Sequence, residues 1–319
     1  MKTGFIFLGV LILSVLAISG CTDNSGIVKE EGKISAVTTL YPLYEFAREV
    51  GGENADVYLL LPPGAEAHTF EPRPSDIIRV SNADVFIYIG AGMEPWAHSI
   101  VEGAGNKGLL VLDASSKVSL IKSGEHHHED EVEDEEQEEH HHGEYDPHIW
   151  MDFENDKKIV NAIAEAFSEK DPANREFYFR NAIEYNEKLS ALHQEYLSSL
   201  SGCRYNVIIS AGHNAFSYLA HKYGLEIVSA YGISPDSEPT PQKIKEIIDL
   251  INGHGLSHIY SEKLLNPSMA ETIASEAKAK TLILNPAHNL LKEEFDKGVT
   301  FISLMEENLE NLKIGLECE

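Results

Sequence analysis

The sequence predicts an α/β protein of two lobes, each with a mostly parallel four-stranded sheet flanked by helices, joined by one long rigid helix. Three observations predict this fold. Short β-rich runs alternate with helical patterns, the alternation occurs twice along the chain, and a long apolar stripe of helical spacing separates the two series. The 319 residues, 43% of them hydrophobic, suffice for about two domains with cores of their own.

The N-terminus predicts export. Lys2 is the only charged residue before Asp23, and the apolar run between them ends in small residues at Cys21. Residues 1–20 are therefore predicted to be a signal peptide whose end resembles a lipoprotein processing site, with cleavage before Cys21. An uncleaved membrane anchor is the alternative, because about 18 apolar residues can cross the hydrocarbon core. In both cases the polar residues 21–32 tether an extracytoplasmic protein to the outer face of the cytoplasmic membrane.

The N-terminal α/β lobe is predicted over residues 33–153. Its helices are expected at Pro42–Val50 and Ser75–Asn82. Alternation of strands with helices is typical of βαβ units and a parallel sheet. The four predicted strands are Ile34–Thr39, Val57–Leu61, Val85–Ile89 and Leu109–Leu112.

Residues 154–202 are predicted to link the lobes through helices. A first helix covers Asn155–Glu169, and a second covers Asn174–Leu200, which at 1.5 Å per residue spans roughly 40 Å. Such a helix packed along both lobes acts as a strut and not as a hinge. Its apolar residues recur every three or four positions, and they are Tyr178, Ala182, Tyr185, Leu189, Leu192, Tyr196 and Leu200.

The C-terminal α/β lobe, residues 203–319, repeats the pattern of the first. Its predicted strands are Val207–Ser210, Glu226–Ala230, His258–Ser261 and Thr281–Leu284. Its predicted helices are Phe216–Tyr223, Lys243–Asn252, Ser268–Ala277 and Glu293–Leu312. The segments Glu71–Ile77 and Glu238–Ile244 are alike, since each opens a helix with prolines ahead of a strand, which suggests either an internal duplication or coincidence. Export permits a disulfide between Cys203 and Cys318, but the sequence does not decide whether they pair.

Residues 124–144 form an acidic, histidine-rich stretch, with eleven acidic residues and six histidines between Glu125 and Glu144. Such a run repels itself and buries no apolar area, so a disordered loop is expected. Either it is a solvated insertion without a function, or it collects divalent ions weakly beside His148.

Three histidines occupy positions from which their side chains can converge. His68 follows the second predicted strand, His148 lies between the lobes, and His213 follows the first strand of the second lobe. Ligands in open α/β sheets bind beyond the carboxyl ends of the strands, so the cleft between the lobes is the expected site. Imidazoles suit zinc, copper, iron or nickel, and three of them leave a fourth tetrahedral position open.

Four motifs resemble those of the zinc/manganese solute-binding protein family of ABC importers. The resemblance covers nearly the whole mature chain in the same order, from Tyr41 to the last strand. The motifs are Pro62–Pro72, Asp146–Asp152, Asp171–Asn174 and Gly212–Phe216. The resemblance implies an extracytoplasmic, metal-binding protein that captures a divalent ion and delivers it to an ABC permease in the cytoplasmic membrane. It also implies that His68, His148 and His213 are ligands. Histidine in place of a carboxylate at position 213 favours Zn²⁺, because manganese prefers oxygen donors. Mn²⁺ is the alternative ion.

The chain departs from that family at the fourth ligand position. Family members often carry Asp-Pro-Leu-Gly at the end of the last strand, whereas this chain reads Leu-Asn-Pro-Ala-His from 284 to 288. The fourth donor is therefore open between Asn285, His288, Glu66 and water. Glu262, at the end of a strand in the second lobe, is expected to hold a loop through hydrogen bonds.

Other classes of function fit the sequence less well. Since 25 basic residues stand against 52 acidic ones, nucleic acid is not an expected partner. The sequence contains no His-Glu-x-x-His, Gly-x-Ser-x-Gly or phosphate-binding loop, so no enzyme is predicted. A metal-dependent enzyme and a surface adhesion protein with a structural metal are the alternatives. We expect a monomer.

Overall fold

The structure, a computed structural model, describes residues 32–123, 144–236 and 238–319. The predicted signal peptide, Cys21 and nearly all of the acidic histidine-rich stretch lie outside these ranges. Within them, no helix combines the length and the apolar character needed to cross a bilayer.

Two parallel four-stranded sheets with the same strand order confirm the predicted fold class. The first sheet has the order β2-β1-β3-β4 and consists of β1 (Ile34–Thr38), β2 (Ala55–Leu59), β3 (Val85–Tyr88) and β4 (Leu110–Asp113). The second has the order β6-β5-β7-β8 and consists of β5 (Val207–Ser210), β6 (Glu226–Ser229), β7 (His258–Ser261) and β8 (Lys280–Ile283). Because all pairs are parallel, the carboxyl ends of each sheet lie at one edge.

Helices cover the sheets. In the first lobe they are α1 (Tyr41–Gly51), α2 (Pro74–Ser81) and α3 (Ala97–Ala104). The sequence did not predict α3, whose eight residues bury only Ala97 and Ile100 and so show little periodicity. In the second lobe they are α6 (Ser217–Tyr223), α7 (Pro241–His254), α8 (Ser268–Ala277), α9 (Lys292–Asp296) and α10 (Phe301–Gly315). Helices α2 and α7 both begin at a proline, and they precede the equivalent strands β3 and β7.

The prediction of one helix over Glu293–Leu312 is wrong, because α9 and α10 are separate. Gly298, with φ +70°, lies between them in the left-handed region that glycine adopts without strain. Thr300 then caps α10, its side chain accepting a hydrogen bond from the backbone N–H of Ser303. The residues on both sides of this turn favour helix, so the sequence pattern predicts one continuous helix.

Two helices, α4 (Phe153–Lys170) and α5 (Arg175–Leu200), connect the lobes. The seven residues predicted as the apolar stripe are the seven buried residues of α5. Helix α5 has 26 residues, or about 39 Å, and it packs against α1, α4 and α10. It also makes hydrogen bonds to both lobes, from Asn181 Nδ2 to the Val50 carbonyl and from the Tyr196 hydroxyl to the Met305 carbonyl.

The segment after β8 ties the lobes together a second time. The Gly64 N–H donates to the Leu290 carbonyl at 2.7 Å, and the Tyr41 N–H donates to the His288 carbonyl at 3.2 Å. Trp150 Nε1, on the segment that follows His148, donates to the Pro286 carbonyl at 2.7 Å. One hydrophobic core also runs through both lobes and the connecting helices. The cleft between the lobes is therefore built on a rigid frame.

A disulfide joins Cys203 and Cys318, a pairing that the sequence left open. The two cysteines are 115 residues apart and enclose nearly the whole second lobe. Cross-links that close long loops restrict the unfolded chain most, so this bond stabilises the second lobe.

Candidate metal centre

The structure brings His68, His148 and His213 together in the cleft. One possible ligand atom from each lies within 4.8 Å of the other two. The Nε2 atoms of His148 and His213 are 3.2 Å apart. Two nitrogens that each lie 2.0–2.1 Å from a tetrahedral zinc ion are about 3.3 Å apart. The spacing of this pair therefore fits two ligands of one ion.

Each histidine reaches the cleft from a different element. His68 lies in the loop after β2, which Asn289 Nδ2 holds through hydrogen bonds to the carbonyls of Pro62 and Ala65 at 2.8 and 2.9 Å. His148 stands directly before a short 3-10 helix, and His213 follows β5. The cleft thus collects side chains that are 65 or more residues apart in the sequence.

Two carboxylates hold two of these imidazoles in the same way. Asp146 Oδ1 accepts hydrogen bonds from the backbone N–H of His148 at 2.9 Å and from its ring Nδ1 at 2.8 Å. Glu262 Oε1 accepts from the backbone N–H of His213 at 2.7 Å and from its ring Nδ1 at 2.9 Å. A carboxylate that accepts a hydrogen bond from Nδ1 keeps the ring proton on that nitrogen. The lone pair of Nε2 is then free to bind a metal ion, which is how metal-binding histidines are oriented.

The two supporting carboxylates differ in how well the sequence revealed them. Glu262 matches its expected role as an acid that holds a loop. It comes so close to Gly212 that a Cβ on this glycine would lie 1.8 Å from Glu262 Oε1, so a side chain there would displace the carboxylate. The sequence did not predict the role of Asp146, which it shows only as the first residue of the Asp146–Asp152 motif. Its position two residues before His148 was the available signal.

The same environment shifts the pKa values of the paired groups. Both imidazoles are fully buried. Burial lowers the pKa of His148 more than the nearby Asp146 carboxylate raises it. Burial also opposes the charge on His213, but the Glu262 carboxylate and the more distant Glu66 and Asp146 raise the pKa of His213 above its usual 6.5. His213 is therefore the first of the pair to take up a proton.

His288 is the fourth imidazole of the cleft. Its ring centroid lies 5.7 Å from that of His213, although it stands outside the close group of three. Burial, with a smaller contribution from His213, lowers the pKa of His288 to about 3, so the ring is neutral. Neither ring nitrogen has a hydrogen-bond partner among the described residues, and Nε2 lies 3.7 Å from Glu66 Oε2. His288 thus presents two ring nitrogens that have no hydrogen-bond partner among the described residues, beside the three histidines.

Asn285 is engaged in the turn that carries His288. Its side-chain oxygen accepts a hydrogen bond from the Ala287 N–H at 2.9 Å, and its own N–H donates to Asn308 Oδ1 at 2.8 Å. Ala287 has a positive φ of 55°, a conformation that these bonds help to hold. The side chain of Asn285 therefore shapes the loop after β8.

Comparison with known proteins relates the chain to zinc-uptake proteins. The family model described as zinc-uptake complex component A, periplasmic, matches residues 36–315. The high-affinity zinc uptake system protein ZnuA of Bacillus subtilis is 36% identical over 310 residues, which are 96% of both chains. The zinc-binding lipoprotein AdcA of Streptococcus pneumoniae is 35% identical over 301 residues, or 94% of this chain.

The chain spans 59% of the length of that longer AdcA relative. The solved structure of the Zn(II)-bound ZnuA-like domain of AdcA from Streptococcus pneumoniae is similar, with a TM-score of 0.75 and 32% identity. The alignment covers 90% of this chain and 100% of that domain. The likeness therefore includes both lobes and the cleft between them.

Proposed function

Because the chain belongs to the family of periplasmic component A proteins of zinc-uptake complexes, we propose that it captures Zn²⁺ outside the cytoplasm and delivers it to an ABC-type permease. The observation that carries this proposal is the group of three buried or half-buried imidazoles whose ligand atoms lie within 4.8 Å of one another. Nitrogen donors at tetrahedral spacing favour Zn²⁺ over Mn²⁺, which prefers oxygen ligands.

His68, His148 and His213 are the proposed ligands, and His288 is the proposed fourth donor. The neutral ring of His288 and its two unpaired nitrogens support this choice over water. Glu66 is the next candidate, since its Oε2 lies 3.7 Å from His288 Nε2 and has no hydrogen-bond partner among the described residues. Asn285 is the weakest candidate, because its oxygen already accepts a backbone hydrogen bond.

The charge of the site also suits a dication. Four neutral imidazoles carry no charge, so a buried Zn²⁺ would keep its two positive charges in a region of low dielectric constant. Asp146 and Glu262 would compensate this charge, because each is hydrogen-bonded to the Nδ1 of a proposed ligand ring and so stands directly behind the ligands of the ion. Buried charges are stable when they are compensated in this way.

The same arrangement supports transport over catalysis. A zinc hydrolase needs an open metal position and a general base beside it. Here Asp146 and Glu262 each use one carboxylate oxygen to hold a ring N–H group of a proposed ligand, and His288 stands next to the remaining position. These features suit an ion that is held and then released unchanged.

The proposed location follows from the first residues, which lie outside the described ranges. We propose that Cys21 carries a lipid that anchors the protein, as a monomer, to the outer face of the cytoplasmic membrane. A fatty-acid label is expected to mark the wild-type protein and not a Cys21→Ser variant. A wild-type protein that takes up no label and keeps residues 1–20 would favour the uncleaved anchor.

Release of the ion is proposed to need small loop movements and not a wide rotation of the lobes. Helix α5 and the segment after β8 both make hydrogen bonds across the lobes. Small-angle scattering of the apo and zinc-bound protein should give superimposable curves. A clear change in the radius of gyration on binding would contradict this mechanism.

The direct test of the proposed function is metal analysis of protein purified without a His tag, followed by competition titration with a zinc chelator. One tightly bound Zn²⁺ per chain is expected, released reversibly by chelation with little loss of folded structure. A protein that unfolds when stripped would instead hold a structural zinc. A protein that prefers Mn²⁺ or binds neither metal would contradict the proposal.

The acidic histidine-rich stretch is proposed to collect ions at low affinity. Deleting residues 125–142 should lower the number of weakly bound Zn²⁺ ions and leave one tight site. Isothermal titration calorimetry of the full chain and the deletion variant measures both classes of site. Loss of the tight site on deletion would refute this division of roles.

A further inference from the structure

The buried site opens to solvent on the side of His68. His148 and His213 have no exposed surface, and His288 is 1% exposed. His68 is half-buried, and it lines a cavity of about 140 Å³ that none of the other three imidazoles reaches. A volume of this size holds several water molecules. An ion that enters through this cavity meets His68 first.

Oxygen donors also line this cavity. Asp236, exposed on the segment between β6 and α7, carries the only formal charge among the described lining residues. Ser234, two residues earlier, is 8% exposed, and its Oγ has no hydrogen-bond partner among the residues that the structure describes. The lining also includes Met93, in a loop that Glu94 holds by accepting hydrogen bonds from the N–H groups of Ile89 and Gly90.

We infer that this cavity is an outer cation site, in which the Asp236 carboxylate and the Ser234 hydroxyl hold a partly hydrated divalent ion before it passes to His68. Carboxylate and hydroxyl oxygens bind hydrated dications weakly, whereas imidazoles bind zinc tightly once its water is lost. A single negative charge at the mouth also attracts cations to it. The inference rests on the proposed function, because it concerns the route to the same site.

An outer site on the route changes rates and leaves the final affinity unchanged. Removing its charge raises the barrier for entry and for exit equally, since both pass the same point. For Asp236→Asn we expect Zn²⁺ association and dissociation to slow by a similar factor, on the order of threefold to tenfold at low ionic strength. The difference should shrink at high salt because screening weakens the attraction. Ser234→Ala should slow both rates less.

The experiment uses the full chain. Stopped-flow competition against a fluorescent zinc chelator gives the association rate, excess EDTA gives the dissociation rate, and titration gives the affinity. The control is Asp56→Asn, an exposed aspartate of β2 near the amino ends of the strands, which removes the same charge. Thermal unfolding of the apo proteins checks that each variant is folded.

The outcomes separate the two proposals. If the wild-type protein does not bind Zn²⁺ in the titration, the proposed function fails. If the wild-type protein binds and Asp236→Asn keeps both wild-type rates at low salt, the outer site is overturned. If Asp236→Asn only speeds dissociation, the carboxylate belongs to the final site, which also overturns the inference.

Discussion

The four imidazoles of the cleft fall into two pairs that differ in how they are held. His148 and His213 are fully buried, and each gives both its backbone N–H and its ring Nδ1 to one carboxylate. His68 and His288 lie on the loops after β2 and β8, which are joined across the lobes by the bond from Gly64 to Leu290. The first pair therefore has its orientation and its counter-charge built in, whereas the second pair lies at the junction of the lobes.

This difference indicates a division of roles within one site. The carboxylate-backed pair supplies fixed nitrogens and the negative charge that a dication needs, so it should carry most of the affinity. The junction pair includes the imidazole that faces the entrance and the one whose nitrogens are unpaired. That pair should govern entry and the completion of the coordination shell.

The largest expected effect is the loss of a carboxylate-backed imidazole. His148→Ala and His213→Ala should each weaken Zn²⁺ binding by on the order of a thousandfold or more, above the 10- to 100-fold typical of outer-shell partners. His68→Ala should also weaken it by orders of magnitude, since only two of the three close ligands would remain. Competition titration measures all three variants.

The control for these variants is His193→Ala. His193 lies on α5, where its Nδ1 contacts the Tyr223 hydroxyl at 2.9 Å, away from the cleft. Its substitution should leave Zn²⁺ affinity unchanged. Equal losses in His193→Ala and His148→Ala would mean that the titration reports stability and not ligation.

The second effect comes from the carboxylates themselves. Asp146→Asn and Glu262→Gln keep the shape of the side chain and remove its charge, so affinity should fall by about 10- to 100-fold. The same titration measures the change, and circular dichroism checks the fold. Wild-type affinity in both variants would contradict the division between the two pairs.

The third effect is the pH dependence of binding. Metal binding needs a neutral imidazole, and the pKa of His213 is raised above 6.5, so protons compete as the pH falls through that range. Affinity should drop by up to about tenfold for each pH unit between pH 7.5 and 5.5. Glu262→Gln should bind more weakly at pH 7.5 but show a flatter profile, because it removes the carboxylate that raises the pKa.

The smallest effect is expected for His288→Ala. Three imidazoles remain and water can take the fourth position, so affinity should fall by only about tenfold. The pH profile should keep its slope, because the pKa of His288 is about 3 and the ring is neutral throughout this range. An unchanged affinity would make Glu66 or water the fourth donor.

Much of the fold was predictable from local pattern. Strands β5 and β7 and helix α8 begin and end where the sequence predicts, and the buried stripe of α5 matches residue by residue. These elements have regular apolar spacing, which burial of one face enforces. The break between α9 and α10 escaped prediction because it depends on the conformation of Gly298 and the cap at Thr300.

The sequence by itself determined the two-lobed α/β plan, the strut and the identity of the three close histidines, because apolar periodicity, position after a strand and short sequence motifs are local properties. Only the tertiary structure decided that Asp146 and Glu262 support His148 and His213, that His288 stands beside them while Asn285 holds its turn, and that Cys203 pairs with Cys318. Some of these contacts join residues that are distant in sequence, as Glu262 and His213 or Cys203 and Cys318 are. Where the residues are close in the chain, as Asp146 and His148 are, the orientation of the ring still depends on how the lobes pack.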